Sequence, residues 1–184
     1  MNERMKMTAG ELYNPADEEL YTLRIKASKL CAKYNGLTEA DEEERYSILK
    51  ELMPYSLHNP YFRGPLYVDY GMNIHIGKDF YANFCTTILD VCPVTIGDNV
   101  MLGTNVSLLT PVHPLKWQDR NSQLEYGKPI TIGSNCWLAS NVTVTAGVTI
   151  GEGSVIGAGS VVTKDIPSGV LAAGNPCRVI KTIE

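Results

Sequence analysis

Aliphatic side chains return at every sixth residue through the C-terminal part of the chain: Ile132, Leu138, Val144, Ile150, Ile156 and Val162. Gly133, Gly151, Gly157 and small or polar residues fill the steps between, as in Ile150-Gly151-Glu152-Gly153-Ser154-Val155. The same beat runs through Ile76, Ala82 and Ile88, and again through Ile96, Leu102 and Leu108, from which four further steps reach Ile132. An internal period fixes architecture before residue propensity does. Each unit reads as one short strand and a turn, with one aliphatic side chain pointing inward. A lone strand of this kind buries nothing, so neighbouring units must stack into a continuous core. The expected fold is a mainly β solenoid.

The first third of the chain differs in kind. Asn14-Pro15-Ala16-Asp17 offers a cap, a proline at the first helical position and an acid in the first turn. Leu20, Leu23, Ala27, Leu30 and Tyr34 then recur at helical spacing until Asn35-Gly36. A second helix is expected from Thr38 to just before Pro54, with Asp41 to Glu44 near its positive end and Ile48, Leu49 and Leu52 on its apolar side. The organisation expected is a helical segment over 1–54, an irregular lead-in over 55–75, the solenoid over 76–167 and a C-terminal cap over 168–184. Two interruptions mark the repeat. One is a two-residue bulge at Val91-Cys92-Pro93; the other is a long loop over 110–129 in which the period vanishes. Long loops inside compact domains are uncommon and usually functional.

The formal charge of −4 argues against a general nucleic-acid surface. No apolar run approaches membrane-spanning length, and Met1-Asn2-Glu3-Arg4-Met5-Lys6 lacks the apolar stretch of a signal peptide. The five cysteines are odd in number and form no C-x-x-C pair, which supports neither zinc nor a disulfide framework. Cys85, Cys92 and Cys136 sit where small core residues recur and read as buried thiols. A reducing cytoplasm suits this composition.

Among His58, His75 and His113, no pair shows metal-ligand spacing, so no metal site is expected. His58 and His75 read as structural or solvated histidines. His113 lies inside the long loop between Pro111 and Pro114, which restrict the backbone on both sides. An unperturbed imidazole titrates near neutrality, which suits a general base, although a loop histidine of this kind is compatible with no catalytic role.

The hexads match the pattern [LIV]-G-x-x-[STAV]-x, and other stretches are more specific. These are Met7-Thr8-Ala9-Gly10-Glu11-Leu12-Tyr13, Phe80-Tyr81-Ala82-Asn83-Phe84, Glu125-Tyr126-Gly127-Lys128-Pro129, Gly157 to Pro167 and Ala172 to Ile180. Together they cover nearly the whole chain. In this respect the sequence resembles the maltose/galactoside O-acetyltransferase family of hexapeptide acyltransferases. The resemblance implies a left-handed parallel β-helix with an N-terminal helical segment and an extruded loop, packed as a homotrimer with active sites between subunits.

The resemblance also implies acetyl-CoA as donor and a sugar hydroxyl as acceptor. His113 matches the family's catalytic base. Asn83 and a backbone N–H near Ser140 match the donors that stabilise a tetrahedral oxyanion. In local terms Asn83 also fits a corner asparagine. Glu125 is placed to return toward His113 or the acceptor, or else to serve as a loop ion-pair partner. For the donor, Ser140, Ala158 and Gly159 are small residues at matching positions along a groove. Thr163, Lys164, Arg178 and Lys181 match the nucleotide end, a cluster that would equally serve as a charged solenoid cap. For the acceptor, the matching residues are Asp17, Arg24, Asp69, Tyr81 and Asn83. Galactoside-type members carry an acid after the position of Asp90, where this chain has Val91, which leans toward the maltose-type branch. Three rivals remain: a hexapeptide acyltransferase for serine, an amino sugar or an antibiotic; a non-catalytic scaffold; and a solenoid metalloenzyme, which three histidines support poorly.

Overall fold

The computed structural model describes residues 1–56 and 58–183. Its centre is a prism of three strand ladders. The first face runs through Tyr61–Phe62, Tyr81–Ala82, Met101–Leu102, Trp137–Leu138, Val155–Ile156 and Val170–Ala173. The second face holds Leu66–Val68, Thr86–Leu89, Ser107–Leu109, Thr143–Val144 and Val161–Val162. The third holds Ile74–Ile76, Val94–Ile96, Ile130–Ile132 and Thr149–Ile150. The chain visits the faces in that order, and the pairing between successive coils is parallel. This is a parallel β-helix.

The six-residue beat is the prism seen in one dimension. Ile132 pairs with Ile150 three hexads later, Leu138 with Ile156 and Val144 with Val162. On the other side of the long loop, the same three residues pair with Ile96, Leu102 and Leu108. The loop therefore leaves the stack between two coils without disturbing their register. All nine of these aliphatic side chains are buried. The corners need a left-handed turn, supplied by Asn99, Asn105, Asn135 and Asn141 at φ of 55–61°. Asparagine tolerates that region better than most side chains. Two of these corners are tied across coils, Asn105 Nδ2 donating to Asn141 Oδ1 at 2.9 Å and Asn99 Nδ2 to Asn135 Oδ1 at 3.2 Å.

The solenoid extends beyond the aliphatic period at both ends. Tyr61–Phe62 and Leu66–Val68 lie in the stretch expected to be irregular, yet they pair in parallel with Tyr81–Ala82 and Thr86–Ile88. Phe62 fills the inward position where later coils carry an aliphatic residue, and Pro60, Gly64 and Pro65 hide the beat. Val170–Ala173 likewise continues the first face past residue 167 before Arg178–Thr182 folds back antiparallel along its edge. Cys92 and Cys136 are buried as expected, whereas Cys85 is only half-buried, at a corner with φ of 60°.

Helix α1 (Glu3–Ala9) is absent from the helical period because seven residues are too few to show one. Asn2 caps it and Gly10 ends it in the left-handed region at φ 77°. Helix α2 (Glu18–Asn35) starts later than the Asn14-Pro15 signal suggests, since Asp17 is the residue whose carboxylate accepts from Leu20 N–H, at 3.2 Å. Helix α3 (Glu42–Leu52) also starts late: Thr38 donates its N–H and hydroxyl to Asp41 Oδ2, both at 2.8 Å, closing a turn ahead of it. Ala27, Cys31, Tyr34, Ile48, Leu49 and Leu52 join Phe62, Leu66 and the solenoid aliphatics in one core, so α2 and α3 close the open end of the first coil. Among the described residues no helix is long and apolar enough to cross a membrane.

Candidate active site

The long loop leaves the corner between the second and third faces. Its root is buried at Thr110, whose hydroxyl donates to Leu89 O at 2.7 Å and accepts from Cys92 N–H at 3.0 Å, while Lys128 N–H donates to Thr110 O at 3.0 Å. Pro111–Val112 and Tyr126–Gly127 then pair antiparallel as the loop's stem, and a short helix α4 (Trp117–Arg120) forms its exposed tip.

His113 follows the outgoing stem strand, and Glu125 precedes the returning one. Glu125 Oε2 lies 3.7 Å from His113 Nε2, with the imidazole side chain 57% exposed and the carboxylate side chain 15% exposed. That separation is too long for a hydrogen bond but close enough for charge to be felt. The other carboxylate oxygen of Glu125 accepts from the phenol of Tyr13. Burial, first, and then the bond to Glu125 push the Tyr13 phenol well above its ordinary pKa.

Arg24 and Asp69 belong to the same cluster. Arg24 donates to Tyr70 Oη at 2.8 Å and to Pro15 O at 2.7 Å, and its guanidinium lies over the Tyr70 ring. Burial lifts Asp69 to a pKa of about 6; the charge of Glu125 adds to the rise and Arg24 opposes it. Behind them Asp90 is fully buried and accepts from the N–H groups of Tyr70 at 2.9 Å and Asn73 at 3.2 Å. Burial nevertheless raises it to about 7.

A second group occupies the corner between the first and second faces. Asn83 sits there with its carboxamide oxygen accepting from Phe84 N–H at 2.8 Å. Two coils on, Ser140 accepts through its carbonyl from Gly159 N–H at 2.9 Å. Gly103, Ser140, Ala158 and Gly159 are the small residues of this corner, beside Phe84 and the paired Asn105 and Asn141. A Cβ on Gly103 would stand 2.6 Å from Ser140 N, while one on Gly159 would meet nothing within 4 Å. Ala158 and Gly159 are exposed.

Family models match in three places. The maltose acetyltransferase hexapeptide capping motif covers residues 6–54, the bacterial transferase hexapeptide covers 129–164, and the hexapeptide repeat of succinyl-transferase covers 91–113. The galactoside O-acetyltransferase of Escherichia coli is 46% identical over 183 residues, spanning 100% of this chain and 89% of the relative. The crystal structure of a maltose O-acetyltransferase from Clostridium difficile superposes with a TM-score of 0.96 at 47% identity, covering 100% of this chain and 98% of that one. A galactoside acetyltransferase in complex with coenzyme A superposes at 0.95 with 45% identity, covering 100% and 92%. The chain belongs to the maltose/galactoside O-acetyltransferase family. It is accordingly an acetyl-CoA-dependent acetyltransferase.

Within one chain of this acetyltransferase the expected site residues fall into two separate sets. His113, Glu125, Arg24 and Asp69 gather at the loop's root, and Asp17 caps the neighbouring helix. Asn83, Ser140, Ala158 and Gly159 lie along the other corner, with Tyr81 stacked on Tyr61 on the first face, ring centroids 5.8 Å apart. The cations divide as well. Thr163 and Lys164 follow the last strand of the second face, whereas Arg178 and Lys181 stand opposite Ala173 and Leu171 on the edge of the first. His75 stacks on Tyr55, ring centroids 5.7 Å apart, in a packing role.

Sequence reasoning assigned no role to Tyr13, Tyr70 or Asp90. Tyr13 lay inside the Met7–Tyr13 match, but its partner is 112 residues away and no local pattern reports it. Asp90 carried a faint signal: a lone acid closing the Thr86–Leu89 strand just before the bulge.

Proposed function

We propose that this acetyltransferase moves the acetyl group of acetyl-CoA to a sugar hydroxyl, with His113 as general base, in a site completed between two subunits of a homotrimer. The observation that carries the reading is the division of the site. Asn83 and His113 lie at opposite ends of the second face, whose strand Thr86–Leu89 has four residues and so spans about 13 Å at roughly 3.3 Å per residue. A base and an oxyanion donor must both stand about 3 Å from the reacting atoms. At that separation one chain alone does not meet the requirement, which is why the reading sets the loop corner of one subunit against the small-residue corner of the next.

In this arrangement the imidazole of His113 takes the proton as the sugar oxygen attacks the thioester carbonyl. The carbonyl oxygen becomes an oxyanion held by the Asn83 side-chain N–H and a backbone N–H near Ser140. Collapse expels the CoA thiolate, which recovers the proton carried by His113. Arg24, Asp69 and Asp17 beside the loop root supply hydrogen-bonding groups of the kind sugar hydroxyls require, joined by Tyr81 and Asn83 of the neighbour. Ser140, Ala158 and Gly159 pass the pantetheine arm, and Thr163, Lys164, Arg178 and Lys181 hold the nucleotide end. Val91, buried with Tyr13 and Tyr70, stands where galactoside-type members are expected to carry an acid. That favours a glucose- or maltose-type acceptor.

Thiol release from acetyl-CoA, measured over maltose, glucose, galactosides, serine and chloramphenicol, tests the acceptor. Sugars alone are expected to turn over, maltose or glucose best; a preference for serine or the antibiotic rejects the sugar. His113→Ala is expected to lose roughly 10²–10⁴-fold in turnover with acetyl-CoA binding intact. Wild-type turnover in that variant rejects the base.

A further inference from the structure

We infer that Tyr13 is a positioning residue for acetyl transfer: its buried phenol holds one oxygen of Glu125 so that the other faces His113. This rests on the reading of His113 as base. Tyr13 is 1% exposed and packs with Met7, Leu20, Tyr70 and Val91 beneath the loop stem. It is joined to Glu125 three times over. Tyr13 N–H donates to Glu125 O at 2.9 Å, Glu125 N–H donates to Tyr13 O at 3.2 Å, and the phenol donates to the carboxylate. The two main-chain bonds fix where Glu125 starts, and the phenol fixes where its side chain ends.

A glutamate in a surface loop ordinarily samples many rotamers, and holding one costs entropy that a single distant imidazole does not repay. Here the phenol does the holding. Its bond takes up Oε1 and leaves Oε2 at 3.7 Å from His113 Nε2. A carboxylate so aimed steadies the imidazolium that forms as the base takes the hydroxyl proton. The charged and titratable groups around it are Asp69, which resists a second negative charge nearby, Arg24, which offsets it, and Tyr70. Without the phenol, Oε1 loses its donor in a half-dry setting, and the carboxylate turns toward solvent or Arg24.

The test is Tyr13→Phe, which keeps the packing and removes only the hydroxyl. Turnover is expected to fall about tenfold, part of the roughly 10²–10⁴-fold that a general base supplies, with the Michaelis constant for acetyl-CoA unchanged. Glu125→Gln should give the same split, a lower turnover with that Michaelis constant unchanged. The double variant Tyr13→Phe/Glu125→Gln should be no slower than the slower single one. Wild-type turnover in Tyr13→Phe, a loss that appears in the Michaelis constant for acetyl-CoA instead, or losses that multiply in the double variant, overturns the assignment. His113→Ala separates the two readings. If it is impaired while Tyr13→Phe behaves as wild type, only the role of Tyr13 falls; if it turns over normally, the base falls too.

Discussion

Two inactive variants should restore each other. His113→Ala removes the proposed base at the loop corner, and Asn83→Ala removes the proposed oxyanion donor at the small-residue corner about 13 Å away across the Thr86–Leu89 strand. In a cyclic trimer each site would draw His113 from one subunit and Asn83 from the next. When the two variants are co-expressed in equal amounts and assemble at random, a site is intact only if the first subunit keeps its histidine and the second its asparagine. Two independent even chances give about one quarter of sites, and hence about one quarter of wild-type turnover per chain. The floor lies far lower, since loss of the base costs roughly 10²–10⁴-fold and loss of one oxyanion donor roughly 10²–10³-fold. Thiol release by the co-expressed mixture reads the difference directly, with equal chain content confirmed by mass spectrometry. Activity that stays at the level of the single variants in verified mixed trimers would refute the shared site and place both residues in one chain's chemistry.

Two further outcomes follow from the placement of charge. Lys164→Glu and Arg178→Glu should each raise the Michaelis constant for acetyl-CoA with little change in turnover, because contacts to remote phosphates hold ground state and transition state alike; unchanged affinity in both moves the nucleotide end elsewhere. Asp69, lifted from 3.8 to about 6, binds its proton more tightly in the folded chain, so its contribution to stability is complete below about pH 3.8 and is lost as the pH rises through about 6. At roughly 1.4 kcal/mol per pKa unit the loss is about 3 kcal/mol, and thermal melts should show Asp69→Asn gaining on the wild type between pH 4 and 7; parallel pH dependence in the two proteins rejects a raised carboxyl at the half-buried Asp69.

The middle of the solenoid is legible because each coil repeats the same inward aliphatic at the same phase. Ile132, Leu138 and Val144 announce their partners three hexads away by spacing alone. The first coil is not legible. Phe62 takes the inward position there, and the turns use proline and glycine, so the period starts late on paper although the ladder has begun. The helix starts fail for a different reason. Asn14-Pro15-Ala16-Asp17 contains two residues able to cap, and the chain uses the second, with Asn14 Oδ1 accepting from Ala16 N–H at 3.0 Å in a turn of its own. Of the candidate site, residue type and loop context point to His113, whereas Glu125 enters only through the family resemblance. The division between two corners is invisible until the coils are counted around the prism.

The N-terminal segment and the extruded loop are one mechanical unit. A two-stranded stem such as Pro111–Val112 with Tyr126–Gly127 is marginal in water without further packing. The segment before α2 supplies that packing. Gly10, in the left-handed region at φ 77°, lies so close to the stem that a Cβ there would stand 2.8 Å from Gly127 O. Gly127 in turn admits the stem onto the bulge, since a Cβ at that position would stand 2.6 Å from Cys92 Sγ and 2.8 Å from Val91 Cγ2. Cys92 Sγ completes the contact by donating to Met7 O at 3.2 Å. The Met7–Tyr13 stretch therefore grips the returning strand from Gly127 back to Glu125, and the two-residue bulge in the solenoid is the surface it grips against. Helices α2 and α3 close the first coil, but the residues ahead of them hold the loop that carries His113. A chain that kept its hexads and lost this segment would retain its core and leave the loop without the clamp that aims Glu125.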